Sequence, residues 1–121
     1  MSETVWSLPA PSQEFEQGPQ ILVRPGKVTL RWDVEGESGE YTWSSGEFVG
    51  VEAVVFTAHK SCTSEQVRAY DRLVMVEPSE LLSGLKGARG KFLHHYRIYF
   101  DEAGCLEVVA EEFVAPRSAD S

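Results

Sequence analysis

The chain has 121 residues, 42% of them hydrophobic and 11% aromatic, which supplies one apolar core but leaves too little chain for two. Its 19 acidic residues against 11 Lys and Arg give a formal net charge of -8, which repels phosphate backbones and anionic lipid and argues against nucleic acid and membranes as direct partners. Met1 to Pro11 lacks a basic segment followed by an apolar one, no stretch reaches the roughly 18 apolar residues of a membrane span, and Cys62 and Cys105 suit neither a disulfide scaffold nor a CxxC zinc knuckle. A cytoplasmic protein with reduced thiols is expected.

In chain order, residues 1–19 hold Pro9, Pro11, Gly18 and Pro19 among Ser, Gln and Glu, a composition that resists regular structure. They are expected to form an arm, tacked to the body by Trp6 and Phe15, ahead of a single domain over residues 20–116. From Val28 the period is two: Val28, Leu30, Trp32 and Val34 take one face of a strand, and Lys27, Thr29, Arg31, Asp33 and Glu35 the other. Gly36 to Gly39 is turn chemistry, so Tyr41 and Trp43 fall on a partner strand. A further break is expected at Ser45-Gly46, followed by a run through Ala53, Val54, Val55 and Phe56 without alternation, which suits a central strand covered on both sides.

Thr63 to Gln66 has the spacing of a capping box and predicts a short helix. Leu73 to Val76 reads as a strand, Pro78 breaks it, and Ser79 opens a second short helix running through Leu85 that Gly87 would end, with a loop over Ala88 to Gly90. The last hairpin is expected to turn on Glu102, Ala103 and Gly104, with Gly104 left-handed and Asp101 opposite Cys105. That register pairs Phe100 with Leu106, Ile98 with Val108 and Tyr96 with Ala110 on an apolar face, and His95 with Glu111 on a mixed one. Residues 117–121 are expected to be frayed. The fold class is α+β: a mostly antiparallel sheet of about five to seven strands with one or two short helices.

Adjacent strand residues point to opposite faces, so His94 and His95 do not converge on one ion; His94 is expected near the core and His95 at the surface beside Glu111. Asp101 and Glu102 read as turn residues, and Cys105 as a buried thiol with no helix terminus to activate it. No phosphate-binding glycine loop, HExxH or GxSxG occurs, and no metal or cofactor is expected. Asp33, Glu35, Glu37, Glu40, Glu47 and Glu52 fall in a stretch without Lys or Arg and flank Tyr41 and Trp43. Acids around aromatics suit a protein docking surface, because aromatics anchor interfaces and rim charges steer the approach of a basic partner.

The runs Leu73-Val74-Met75-Val76-Glu77-Pro78-Ser79-Glu80-Leu81-Leu82 and His95 to Ala110 resemble small bacterial immunity-type proteins, the cytosolic antidotes encoded beside secreted polymorphic toxins. The resemblance implies a protein-binding inhibitor of a toxin domain and assigns no binding residue. With the acidic set it leads to the expectation of a non-enzymatic module that binds a basic protein through Asp33, Glu35, Glu37, Glu40, Tyr41, Trp43 and Glu47. The competing classes are a small enzyme or ligand-binding protein with a pocket over the sheet lined by His94, Tyr96 or Glu112, and an accessory subunit of a larger assembly.

Overall fold

Strands with one apolar face need a second layer to cover it, and here two antiparallel sheets cover each other. The computed structural model describes residues 2–85 and 92–116. Its strands are β1 (Ser2–Ser7), β2 (Gln20–Arg24), β3 (Lys27–Glu35), β4 (Tyr41–Val49), β5 (Ala53–Ala58), β6 (Arg72–Val76), β7 (His94–Phe100), β8 (Gly104–Ala110) and β9 (Glu112–Val114). One sheet has the order β1-β6-β7-β8-β5, and the other β2-β3-β4-β9. Two helical turns, α1 (Ser64–Val67) and α2 (Glu80–Ser83), accompany the sheets and contact β7 of the five-stranded one.

The core is the facing pair of apolar surfaces. Val28, Leu30, Trp32 and Phe48 come from the four-stranded sheet, and Leu73, Tyr96, Ile98, Phe100, Leu106, Val108 and Ala110 from the other. Aromatic rings join them: Phe48 lies 5.5 Å from Tyr96, and Trp6 lies 5.4 Å from Trp32 and 5.2 Å from Phe113. The mostly antiparallel α+β organisation stands, but nine strands in two sheets among the described residues replace the expected five to seven.

Several local expectations are corrected. The start of the proline-containing segment is not irregular: Ser2–Ser7 pairs with β6, where Trp6 slots between Trp32 and Phe113. Buried Ser12 donates to the Asp71 carboxylate and accepts the Asp101 N–H at 2.8 Å, pinning the connection to the body. Ser45-Gly46 does not break β4. Gly46 sits mid-strand because a Cβ there would approach the Phe113 ring to 2.7 Å, and the chain turns at Gly50 instead. β5 is an edge strand, leaving Val55 and Phe56 partly exposed.

Both helix caps form as their spacing predicts. Thr63 and Gln66 exchange hydrogen bonds at 2.8 and 3.2 Å, and Ser79 accepts the Leu82 N–H at 2.9 Å. The second helix stops at Ser83, with Gly84 as its cap, so Leu85 lies outside it; Gly87, the Ala88 to Gly90 loop and residues 117–121 lie outside the described residues.

The β7–β8 hairpin keeps its predicted faces but not its register. Phe100 opposes Gly104, Ile98 opposes Leu106 and Arg97 opposes Glu107, a shift of two residues. Asp101, Glu102 and Ala103 form the loop, and Glu102 supplies the left-handed residue at φ 58. A two-residue shift preserves the alternation, which is why the apolar face survives.

Candidate functional site

The β3–β4 register places Asp33 opposite Trp43, Glu35 opposite Tyr41 and Thr29 opposite Glu47 on the outer face of the four-stranded sheet. Three of the residues expected to bind a partner are already engaged there. Asp33 is 2% exposed and its carboxylate accepts the N–H groups of Glu16, Gln17 and Gly18 at 3.1, 2.7 and 2.9 Å. Burial opposes its ionisation, but the N–H groups of Gly18, Gln17, Asp33 itself and Glu16 outweigh it and hold the carboxyl below its ordinary range. Asp33 therefore organises the 16–18 segment and is not a docking residue. Glu47 pairs with Lys27 at 2.8 Å, and the Arg31 guanidinium lies 4.5 Å over the Trp43 ring. A stretch free of Lys and Arg along the chain is thus not free of them in space.

The role of Asp33 has a direct check. Asp33→Ala should lower stability by about 2 kcal/mol, because three N–H groups lose a charged acceptor, whereas Glu35→Ala should leave it unchanged. Urea unfolding followed by Trp fluorescence distinguishes the two; equal effects would remove Asp33 from this structural role.

Glu35, Glu37, Glu40 and Tyr41 remain, gathered at the end of the hairpin. Glu40 accepts from the Ser38 hydroxyl. Glu14 and Glu16 join them from the N-terminal segment, an addition sequence reasoning missed because long-range hydrogen bonds, to Asp33 and from Ser12 to Asp71, bring that segment here. A groove of about 370 Å³ is lined by Ala10, Glu14, Phe15, Asp33, Val34, Glu35 and Tyr41. Among the described residues Glu14, Glu16, Glu35 and Glu37 form no ion pair. Desolvation, and then the charges of Glu35, Glu16, Asp33 and Glu14, raise the Tyr41 hydroxyl above its ordinary pKa, which reports the negative field in the groove.

The outer face of the five-stranded sheet holds a second polar cluster. His95 is buried, not at the surface: one ring nitrogen lies 2.7 Å from Ser79 Oγ and the other 2.8 Å from Glu107 Oε1. Arg97 Nε donates to the same carboxylate at 2.8 Å and Gln66 Nε2 at 3.0 Å. Glu107, not Glu111, is the partner of His95, a consequence of the shifted register. Burial would raise the Glu107 pKa, but the His95, Arg97 and Gln66 hydrogen bonds and the Arg97 charge bring it down to about 2. Ser79, His95 and Glu107 stand in the order of a nucleophilic relay, yet Ser79 Oγ caps α2 and Glu107 also serves Arg97 and Gln66. The cluster ties α1 and α2 to β7 and β8.

The other candidates stand as follows. His94 meets the Tyr96 ring edge-on at 5.9 Å, and burial, with the charge of Glu112 on β9 of the facing sheet, raises the Tyr96 hydroxyl above its ordinary pKa, so the three are neighbours, but Tyr96 is buried in the core. Asp101 and Glu102 are turn residues, with Asp101 accepting the Tyr70 hydroxyl at 2.9 Å. Cys105 is fully buried, and burial followed by the Glu107 charge pushes its thiol up to about 12. Among the described residues no group of three or more His, Cys, Asp or Glu is placed to hold a metal, and no helix is long and apolar enough to cross a membrane. No protein-family model matches the chain, and no curated protein or solved structure matches it.

Proposed function

We propose that the chain is a protein-binding module that takes a basic segment of its partner into the acidic groove beside Tyr41, in keeping with an immunity-type inhibitor acting on a toxin domain in the cytoplasm. The observation that carries the reading is the pairing of an aromatic wall, Phe15 and Tyr41, with the carboxylates of Glu14 and Glu35, which form no ion pair among the described residues. A guanidinium or ammonium group gains there both charge-assisted hydrogen bonds and contact with a ring face. Trp43, already stacked under Arg31, gives way to Tyr41 as the anchor.

The test is titration of the labelled protein with an arginine-rich peptide, followed by NMR, with an acidic peptide of equal length as control. Shifts should concentrate on residues 14–16 and 33–41. Glu14→Lys with Glu35→Lys should slow association and flatten its salt dependence, while Glu47→Lys should do little because Glu47 is spent on Lys27. Tyr41→Ala should raise the dissociation rate, at a cost of about 2 kcal/mol if the ring is a hot spot. Shifts spread evenly over the acidic surface, or affinity indifferent to Glu14, Glu35 and Tyr41, would overturn the proposal.

A further inference from the structure

Beside α1 and the residues that follow it lies an opening floored by β6 and β7. It is a cavity of about 520 Å³ lined by Glu65, Arg68, Ala69, Arg72, Val74, Val76, Glu77, Pro78 and Arg97. Three of the chain's 11 basic residues meet in it, in a protein whose net charge is -8. Volumes of this size are typical of pockets for small metabolites.

The guanidinium groups are positioned differently. Arg97 rises from the sheet floor and is braced from below through its Nε bond to Glu107. Arg72 is clamped by bonds from Nε and Nη2 to the Arg68 carbonyl at 3.2 and 2.8 Å, and from Nη1 to Thr4 Oγ1 at 2.8 Å. Each guanidinium carries five N–H donors, so Arg97 and Arg72 both keep donors uncommitted by these bonds. The Arg68 side chain has no hydrogen-bond partner among the described residues. Val74, Val76, Ala69 and Pro78 supply apolar walls, which lower the local dielectric beside the guanidinium groups and strengthen charge-assisted bonds there. Glu65 and Glu77 also line the cavity; they are exposed, as are Arg68 and Arg72, whereas Arg97 is mostly buried at the floor.

We infer that this cavity is a binding site for a small oxyanion, a carboxylate or phosphate, held by Arg97, Arg72 and Arg68. Two planar guanidiniums held in fixed positions fit the paired oxygens of such groups better than mobile ammonium groups would. The site lies on the five-stranded sheet and is independent of the groove beside Tyr41.

The full chain, isotopically labelled, would be titrated with inorganic phosphate and separately with succinate, so that the two arms distinguish the sources of the oxyanion. Saturable amide shifts confined to residues 65–78 and 97 are expected with at least one probe. Arg68→Gln, which breaks no side-chain bond seen within the fold, should weaken that affinity about tenfold or more, and Arg72→Gln should do the same. Lys27→Gln, on the opposite sheet, should leave it unchanged. No saturable shift with either probe, shifts distributed over all basic residues, or unaltered affinity in Arg68→Gln and Arg72→Gln would each overturn the assignment.

Discussion

Gly104→Ala is expected to lower the unfolding free energy by about 4 kcal/mol. Two costs combine at this position. The residue has φ +142, which L side chains rarely adopt, and a Cβ there would fall far inside contact distance of the Thr57 carbonyl, with the Phe56 ring at 3.0 Å and Ala58 Cα at 3.1 Å. Backbone strain of this kind costs about 1–3 kcal/mol, and overpacking a similar amount. The obstruction is backbone, so no rotamer change relieves it, and β5 must part from β8 at Ala58. Gly39→Ala separates the two costs, since Gly39 has φ +86 with open space around it and should pay the strain alone. Urea unfolding of both variants decides the matter; a Gly104 variant no less stable than the Gly39 variant would mean the hairpin tolerates the added carbon.

Glu107→Ala should cost about 3–5 kcal/mol, the range for removing one partner of a buried ion pair, because Arg97 would be left mostly buried without its carboxylate and Gln66 and His95 would lose an acceptor. The same group gives the wild-type protein a signature in acid. Its pKa is about 2 in the fold against an ordinary 4.5, so between these values the unfolded chain binds the proton and the native one does not. The stabilisation is fully present above about pH 5 and is lost as pH falls toward 2, amounting to about 3 kcal/mol at most. Urea midpoints measured across that window should fall steeply for the wild type and less steeply for Glu107→Gln. Parallel slopes would show that Glu107 is not the group responsible.

The parts of the fold that were legible in the sequence are those fixed by local chemistry. Val28 to Val34 declared a face by alternation, Thr63 and Gln66 a capping box, and Ser79 a helix start, and all three appear in the structure. What failed depended on distant partners. β1 looked irregular because its order comes from β6 and from Trp32 and Phe113, far along the chain. The turn type set the β7–β8 register: both Gly104 and Glu102 take positive φ, and glycine's greater tolerance drew the prediction to the wrong one. That two-residue error concealed the Arg97–Glu107 pairing and with it the buried role of His95. In the acidic set, Glu35, Glu37, Glu40 and Tyr41 stay together, but Asp33 could not be recognised as an internal acceptor because nothing in its own strand announces the N–H groups of residues 16–18.

The strand order also dictates when each part can assemble as the chain leaves the ribosome. β2, β3 and β4 are consecutive and hydrogen-bonded in sequence, so this meander needs no later residue to close. β1 must wait for β6, beginning at Arg72, and β5 for β8, beginning at Gly104. Pairings so distant along the chain slow folding, into the range of milliseconds to seconds typical of sandwiches. A nascent chain ending near Ser61 should therefore carry a formed meander whose inner face, Val28, Leu30, Trp32 and Phe48, still lacks β6, β7 and β8, the strands that supply the rest of the buried core. Until the last hairpin emerges, that surface is the part of the molecule most prone to self-association.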